Sequence, residues 1–129
     1  MFNGTTTGSN NIAVGSNTLG VLTSGARNIA IGYGASNAFD TENDNIAIGV
    51  NVLSAAVAGG EFNIGIGNFA LDALTSGDNN TVIGYNAGTA ITSGSSNTII
   101  GEEAGVALTE GGGNVAIGQE ALKNEDGHG

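Results

Sequence analysis

A short alternation of apolar side chains, opened by asparagine and closed by glycine, recurs seven times along the chain. The copies are Asn11-Ile-Ala-Val-Gly15, Asn28-Ile-Ala-Ile-Gly32, Asn45-Ile-Ala-Ile-Gly49, Asn63-Ile-Gly-Ile-Gly67, Asn80-Thr-Val-Ile-Gly84, Asn97-Thr-Ile-Ile-Gly101 and Asn114-Val-Ala-Ile-Gly118. Successive asparagines lie 17, 17, 18, 17, 17 and 17 residues apart. A period of that length, held along the chain, predicts stacked structural units. The fold class expected is all-β: a parallel β-solenoid of about seven 17-residue coils.

Within a coil, the second and fourth positions are mostly β-branched (Ile12 and Val14, Ile29 and Ile31, Ile46 and Ile48). Period two predicts a strand with these side chains on one face. The third position is small in most coils and larger at Val82 and Ile99. An apolar residue there predicts burial of both strand faces, one filling the coil and the other meeting a partner. The invariant Asn predicts a ladder of side-chain amides running up the stack. The invariant Gly predicts a turn that needs positive φ or a close backbone approach.

The second half of each coil is less regular. Alanine dominates the eighth position (Ala35, Ala70, Ala87, Ala104, Ala121), and the twelfth is large and apolar (Leu22, Phe39, Leu74, Ile91, Leu108). Their spacing of four suits one helical turn, but a second strand is the preferred expectation. Thr23-Ser24-Gly25 and its equivalents, Thr75 to Gly77, Thr92 to Gly94 and Thr109 to Gly111, close the coil with turn residues. The 18-residue copy predicts a loop insertion within Ala56 to Gly60. Polar residues replace apolar ones at both ends: Gly4 and Thr5 before the first coil, Asn124 and Glu125 in the last. The expected organisation is a partial coil or cap at 1–10, the solenoid at 11–122 and a polar cap or tail at 123–129.

Composition changes the picture in one respect. Twelve acids against two bases, Arg27 and Lys123, give a net charge of −10. Such a chain is a poor match for nucleic acid or an anionic membrane surface. No apolar run is long enough to insert in a bilayer as a helix. The 24 glycines, in a chain without proline or cysteine, fall at fixed phases of the repeat and read as turn residues. Residues 1–10 carry neither the basic start nor the apolar run of a secretion signal. The expectation is release without such a signal, or a piece of something larger.

Candidate chemistry is sparse, and no cofactor is expected. Asp40, Glu42 and Asp44 place three acids at alternate positions, a spacing that calcium uses, but the glycine and closing acid of a calcium loop are missing and a solvated turn is the usual meaning of such a cluster. Glu103 stacked on Glu120 offers a second cation candidate, since like charges repel unless something intervenes. Gly65-Ile-Gly67-Asn-Phe-Ala70 matches a dinucleotide fingerprint, but the repeat accounts for both glycines. His128 is the sole histidine; three copies around an axis would make a metal site, and a frayed tail is the simpler reading. Without cysteine or a second histidine, the usual nucleophile–base pairs have no members, so no enzyme activity is expected. Tyr33 and Tyr85 follow the turn glycine and suit either edge packing or a sugar. Asn3-Gly-Thr5 and Asn79-Asn-Thr81 match the glycosylation sequon.

The unit Asn80-Thr-Val-Ile-Gly-Tyr-Asn-Ala-Gly-Thr-Ala-Ile-Thr-Ser-Gly-Ser-Ser96 resembles the "N-T-A-I-G-Y-x-A-L…T-T-G-S-N" repeats of bacteriophage tail fibres and related bacterial surface proteins. It is also similar to a shorter "S-V-A-I-G" repeat in the heads of trimeric autotransporter adhesins. The resemblance spans about residues 11 to 122. The adhesin comparison implies a homotrimer of parallel β-rolls with the aliphatic strand toward the centre. The expected role is therefore a structural and adhesive fibre segment on a virion or cell surface, with a cell-surface glycan or receptor as partner. Receptor contact would fall on the variable sixth, seventh and tenth positions and the closing loops. A self-assembling extracellular filament is the alternative. An ice-binding solenoid ranks last, because Asp40, Val57 or Ala58, and Asp126 interrupt the array of Thr23, Thr75, Thr92 and Thr109.

Overall fold

The computed structural model of the chain describes residues 7–55 and 59–124. They form a parallel β-solenoid, and no helix occurs among them. Seven three-residue strands stack in chain order into one sheet: β1 (Ile12–Val14), β2 (Ile29–Ile31), β3 (Ile46–Ile48), β4 (Ile64–Ile66), β5 (Thr81–Ile83), β6 (Thr98–Ile100) and β7 (Val115–Ile117). Register is unbroken, from Ile12 beside Ile29 to Thr98 beside Val115. Six steps of about 4.8 Å make a stack about 29 Å long.

The strand alternation is as the period predicts, and the structure assigns the faces. The third residue points into the coil, so Ala30, Ala47, Gly65, Val82 and Ile99 are fully buried. The second and fourth residues point outward. The buried apolar core lies entirely at positions three, eight, nine and twelve.

The second strand expected across positions eight to twelve is absent. Two consecutive turns replace it, closed by Ala87 N–H to Gly84 O (3.4 Å) and Ile91 N–H to Gly88 O (3.1 Å), with equivalents in other coils. Left-handed residues at the seventh and ninth positions cause this, for example Asn86 (φ 54°) and Gly88 (φ 60°). Neither an extended run nor a helix tolerates them. Because each turn joins its first residue to its fourth, Ala87 and Ile91 both end up facing inward. That is the common face the strand reading sought, reached by a different backbone.

Left-handed geometry also explains why so short a strand suffices. A left-handed residue turns its peptide plane so that N–H reaches the neighbouring coil. The seventh N–H donates to the sixth carbonyl of the coil before (Glu103 to Tyr85, 2.9 Å). The ninth donates to the eighth carbonyl of the coil after (Leu71 to Ala87, 3.1 Å), and the seventeenth to the sixteenth carbonyl of the coil before (Asn79 to Glu61, 3.0 Å). Coil-to-coil bonding thus occurs in bands around the whole circumference, satisfying backbone groups that packing removes from water.

The 18-residue coil keeps this scheme. Leu53 N–H still donates to Ala70 O (3.2 Å) as a ninth residue should, whereas Asn45 reaches Gly60 O rather than the carbonyl 14 residues on. The extra residue therefore falls between Leu53 and Gly60; the expected insertion at Ala56 to Gly60 lies partly outside the described residues. Glu42 braces the site. Its buried carboxylate accepts N–H from Asp40 (2.6 Å), Thr41 (3.0 Å) and Gly59 (3.3 Å).

Candidate interaction surface

The asparagine and glycine ladders hold the coil in shape and so position the outward face. Each inner asparagine closes its own coil, as Asn63 Nδ2 does to Gly77 O (2.9 Å) and Asn80 Nδ2 to Gly94 O (2.8 Å). Its Oδ1 accepts the backbone N–H of the next asparagine. This link runs from Asn11 to Asn28 (2.8 Å) and continues through Asn45, Asn63, Asn80 and Asn97 to Asn114 (2.9 Å). Direct amide-to-amide bonds, the ladder the sequence suggests, join only Asn63 through Asn114, each at 3.0 Å. The larger reason for asparagine is that one side chain serves two backbones.

Glycine at position five meets both expected constraints. Gly15, Gly32, Gly49, Gly67, Gly84, Gly101 and Gly118 have φ between 121° and 146°. A Cβ on Gly84 would lie 2.2 Å from Gly101 O, with comparable approaches at every coil but the last.

Between these ladders the second and fourth side chains form two outward columns. Twelve of their fourteen residues are Ile or Val, Thr81 and Thr98 are the others, and none is charged. Among the described residues, exposed large hydrophobics comprise Ile12, Val14, Val21, Ile31, Tyr33, Phe62, Tyr85, Val115 and Ile117. All but Val21 lie on this face or on its two borders, the sixth position (Tyr33, Tyr85) and the seventeenth (Phe62). Tyr85 stands edge-on to Phe69, ring centres 6.2 Å apart, which fixes its ring at the border. An apolar surface gathered on one side of an acidic solenoid is the candidate interaction face.

The remaining candidates are accounted for by local structure. Asp40, Glu42 and Asp44 do not converge. The Thr23 hydroxyl donates to Asp40, Glu42 turns inward to backbone N–H groups, and Asp44 takes a two-pronged bond from Arg27 at 2.6 Å. That pairing lowers the Asp44 pKa and raises that of Arg27. No group of three acidic or histidine side chains placed to hold a metal occurs among the described residues. Between Glu103 and Glu120 stands the Lys123 ammonium, at 2.6 and 3.1 Å, with its own pKa raised by these bonds. A lysine, which sequence spacing had not connected to the pair, answers the repulsion.

Threonines of the thirteenth position use their hydroxyls within the stack, Thr75 to Thr92 O (2.9 Å) and Thr92 to Thr109 O (3.3 Å). Gly65 and Gly67 belong to β4 and its turn, with no helix after them. Of the variable positions, the sixth borders the apolar face, while Asp72 at the tenth is partly buried and its pKa is raised by desolvation. His128 and Asn3 to Thr5 lie outside the described residues; Asn79 is exposed, but Thr81 of its sequon lies in β5. No protein-family model, curated protein or solved structure matches the chain.

Proposed function

We propose that this chain is a structural and adhesive fibre segment of a phage tail fibre or cell-surface appendage, associated as a homotrimer through its outward strand face. The observation that carries the reading is the chargeless double column of β-branched side chains on a molecule of net charge −10. Like-charged copies repel over most of their surface, and this face is where they approach at least electrostatic cost. A uniform coil bonded to its neighbours around the circumference makes a stiff spacer, and the variable border positions are left to meet a glycan or receptor. The resemblance to tail-fibre and adhesin repeats supports the same role. This reading assigns the chain no catalysis.

Sedimentation equilibrium tests it. The chain should behave as a concentration-independent trimer, and Ile48→Lys/Ile66→Lys should give monomers with an unchanged circular dichroism spectrum. Charged columns that leave the trimer intact would remove this face from the interface. Rods that lengthen with concentration would favour the filament reading instead.

A further inference from the structure

Thr81 and Thr98 interrupt an otherwise aliphatic surface. Both occupy the second-position column, on adjacent strands β5 and β6 in direct register. Neither hydroxyl bonds to any of the described residues, although those of Thr18, Thr75 and Thr92 do. Two free hydroxyls set off-centre in an apolar face would be left without partners if that face were covered by something purely apolar. Their occupant must therefore bring hydrogen-bonding groups to the same two levels. A second copy does so, and its arrangement is then restricted.

We propose that Thr81 and Thr98 each form a ring of three hydroxyls with the same residue of two further copies. The rings set the second-position column on a three-fold axis, with the copies parallel and in register. In such a ring every hydroxyl donates once and accepts once, so all three are satisfied. A two-fold pair would leave one hydrogen unused. An antiparallel pairing of the seven levels, with its two-fold axis along the strands, sets Thr81 against Ile46 and Thr98 against Ile29 and satisfies neither. A parallel slip of two levels loses both matches. At the thirteenth to seventeenth positions the hydroxyls of Thr23, Thr75 and Ser95 are engaged along the stack, and those of Ser24, Ser76 and Ser93 are exposed among polar neighbours instead of set in an apolar face.

The surface is large enough for this use. Including its border columns, the face spans six residue steps, about 20 Å, by about 29 Å of stack. In a trimer its projected area of about 600 Å² is shared between two neighbours, and the three copies together bury about 1,800 Å², within the range of a specific interface. Tyr33, Tyr85 and Phe62 make parts of these borders apolar, while their charges are confined to Glu102 on one side and the paired Arg27 and Asp44 on the other.

The inference rests on self-association through the strand face, and the two ideas fail separately. The chain has no cysteine, so Ser16→Cys places one spin label per copy near the first strand. Electron–electron distance measurement on the labelled chain should give one short separation. Thr81→Val/Thr98→Val keeps shape and apolarity. It should still associate but gain a second population, displaced by up to the stack length of about 29 Å. Thr81→Ser/Thr98→Ser should restore the single distance, which separates hydroxyl chemistry from packing. Adding Ile29→Thr/Ile46→Thr to the native pair makes the column palindromic and should also introduce the long distance. A valine variant with the native single distance and native trimer mass would overturn the hydroxyl rings while leaving the face as the interface. A labelled native chain that stays monomeric would overturn both.

Discussion

Glycine at the fifth position obeys two constraints that substitution can separate. At Gly84 an added Cβ meets both a φ of 146° and the Gly101 carbonyl at 2.2 Å. At Gly118 the backbone is equally unusual (φ 123°), but nothing lies within 4 Å of the added atom. Gly118→Ala should therefore cost only the conformational part, about 1–3 kcal/mol. Gly84→Ala should cost at least about 2 kcal/mol more, because two backbones must part. Urea denaturation of the two variants checks the difference; equal losses would show that stacking adds nothing. Asp72 offers a residue-scale test of the opposite sign. Desolvation raises its pKa, so the folded state prefers it protonated, and stability falls as pH rises from the ordinary aspartate range through the raised value. Asp72→Asn should accordingly stabilise the fold at pH 7, by no more than about 1 kcal/mol for so partly buried a group. The gain should vanish in urea titrations below about pH 3, where both states are protonated.

At the scale of the coil, interior volume is conserved by exchange between positions. Where the third residue is Ala or Gly, the ninth is usually Leu (Leu19, Leu53, Leu71); where it is Val82 or Ile99, the ninth is Gly88 or Gly105. Coil two has the small pair Ala30 and Ser36, and there the twelfth residue is Phe39. In the structure a Cβ on Gly88 would touch Ile91 Cδ1 at 3.1 Å and Val82 Cγ1 at 3.4 Å, and one on Gly65 would strike Val52 Cγ1 at 2.6 Å. Gly88→Leu alone should therefore overpack the coil and cost about 1–3 kcal/mol. Combined with Val82→Ala it should recover most of that loss, which a double-mutant cycle would read as favourable coupling. This exchange was written in the sequence, in columns that a search for one conserved pattern treats as noise. The strands, their register and the outward columns were legible because period two survives in every copy and the 17-residue spacing in all but one. The double turn was not, since the left-handed positions hold Leu71, Phe69 and Glu103 as well as Asn51 and Asn86. Their conformations are imposed by hydrogen bonds from neighbouring coils, not by residue preference. The apolar face was anticipated as one side of a strand buried on both faces, whereas the bridge of Lys123 across Glu103 and Glu120 needed the turn geometry to be seen.

Over the whole molecule, twelve acids and two bases leave little attraction between charges, and both bases are spent between coils. Arg27 ties its turn to that of Asp44 in the following coil, near one end of the stack, and Lys123 ties β7's coil to Glu103 at the other. Terminal coils have a stacking partner on one side only, so they are the first to fray. Lys123 sits where loss of one contact exposes most, since without it Glu103 and Glu120 face each other on adjacent coils. The sign of its pH dependence follows from its raised pKa. Its contribution is full below the ordinary lysine value and is lost as pH rises through the raised one. Asp44, with a lowered pKa, contributes fully above the ordinary aspartate value and loses its contribution as pH falls through the lowered one. Both bridges thus coexist across the neutral range. Lys123→Met keeps the apolar stem and removes the charge, so it should lower the thermal midpoint at pH 7 and speed amide exchange at Val115 to Ile117 more than at Ile46 to Ile48. Half-molar salt should shrink the effect by screening the exposed carboxylates. Exchange that quickens uniformly along the stack would instead mean that the coils open as one unit and that Lys123 holds no particular end.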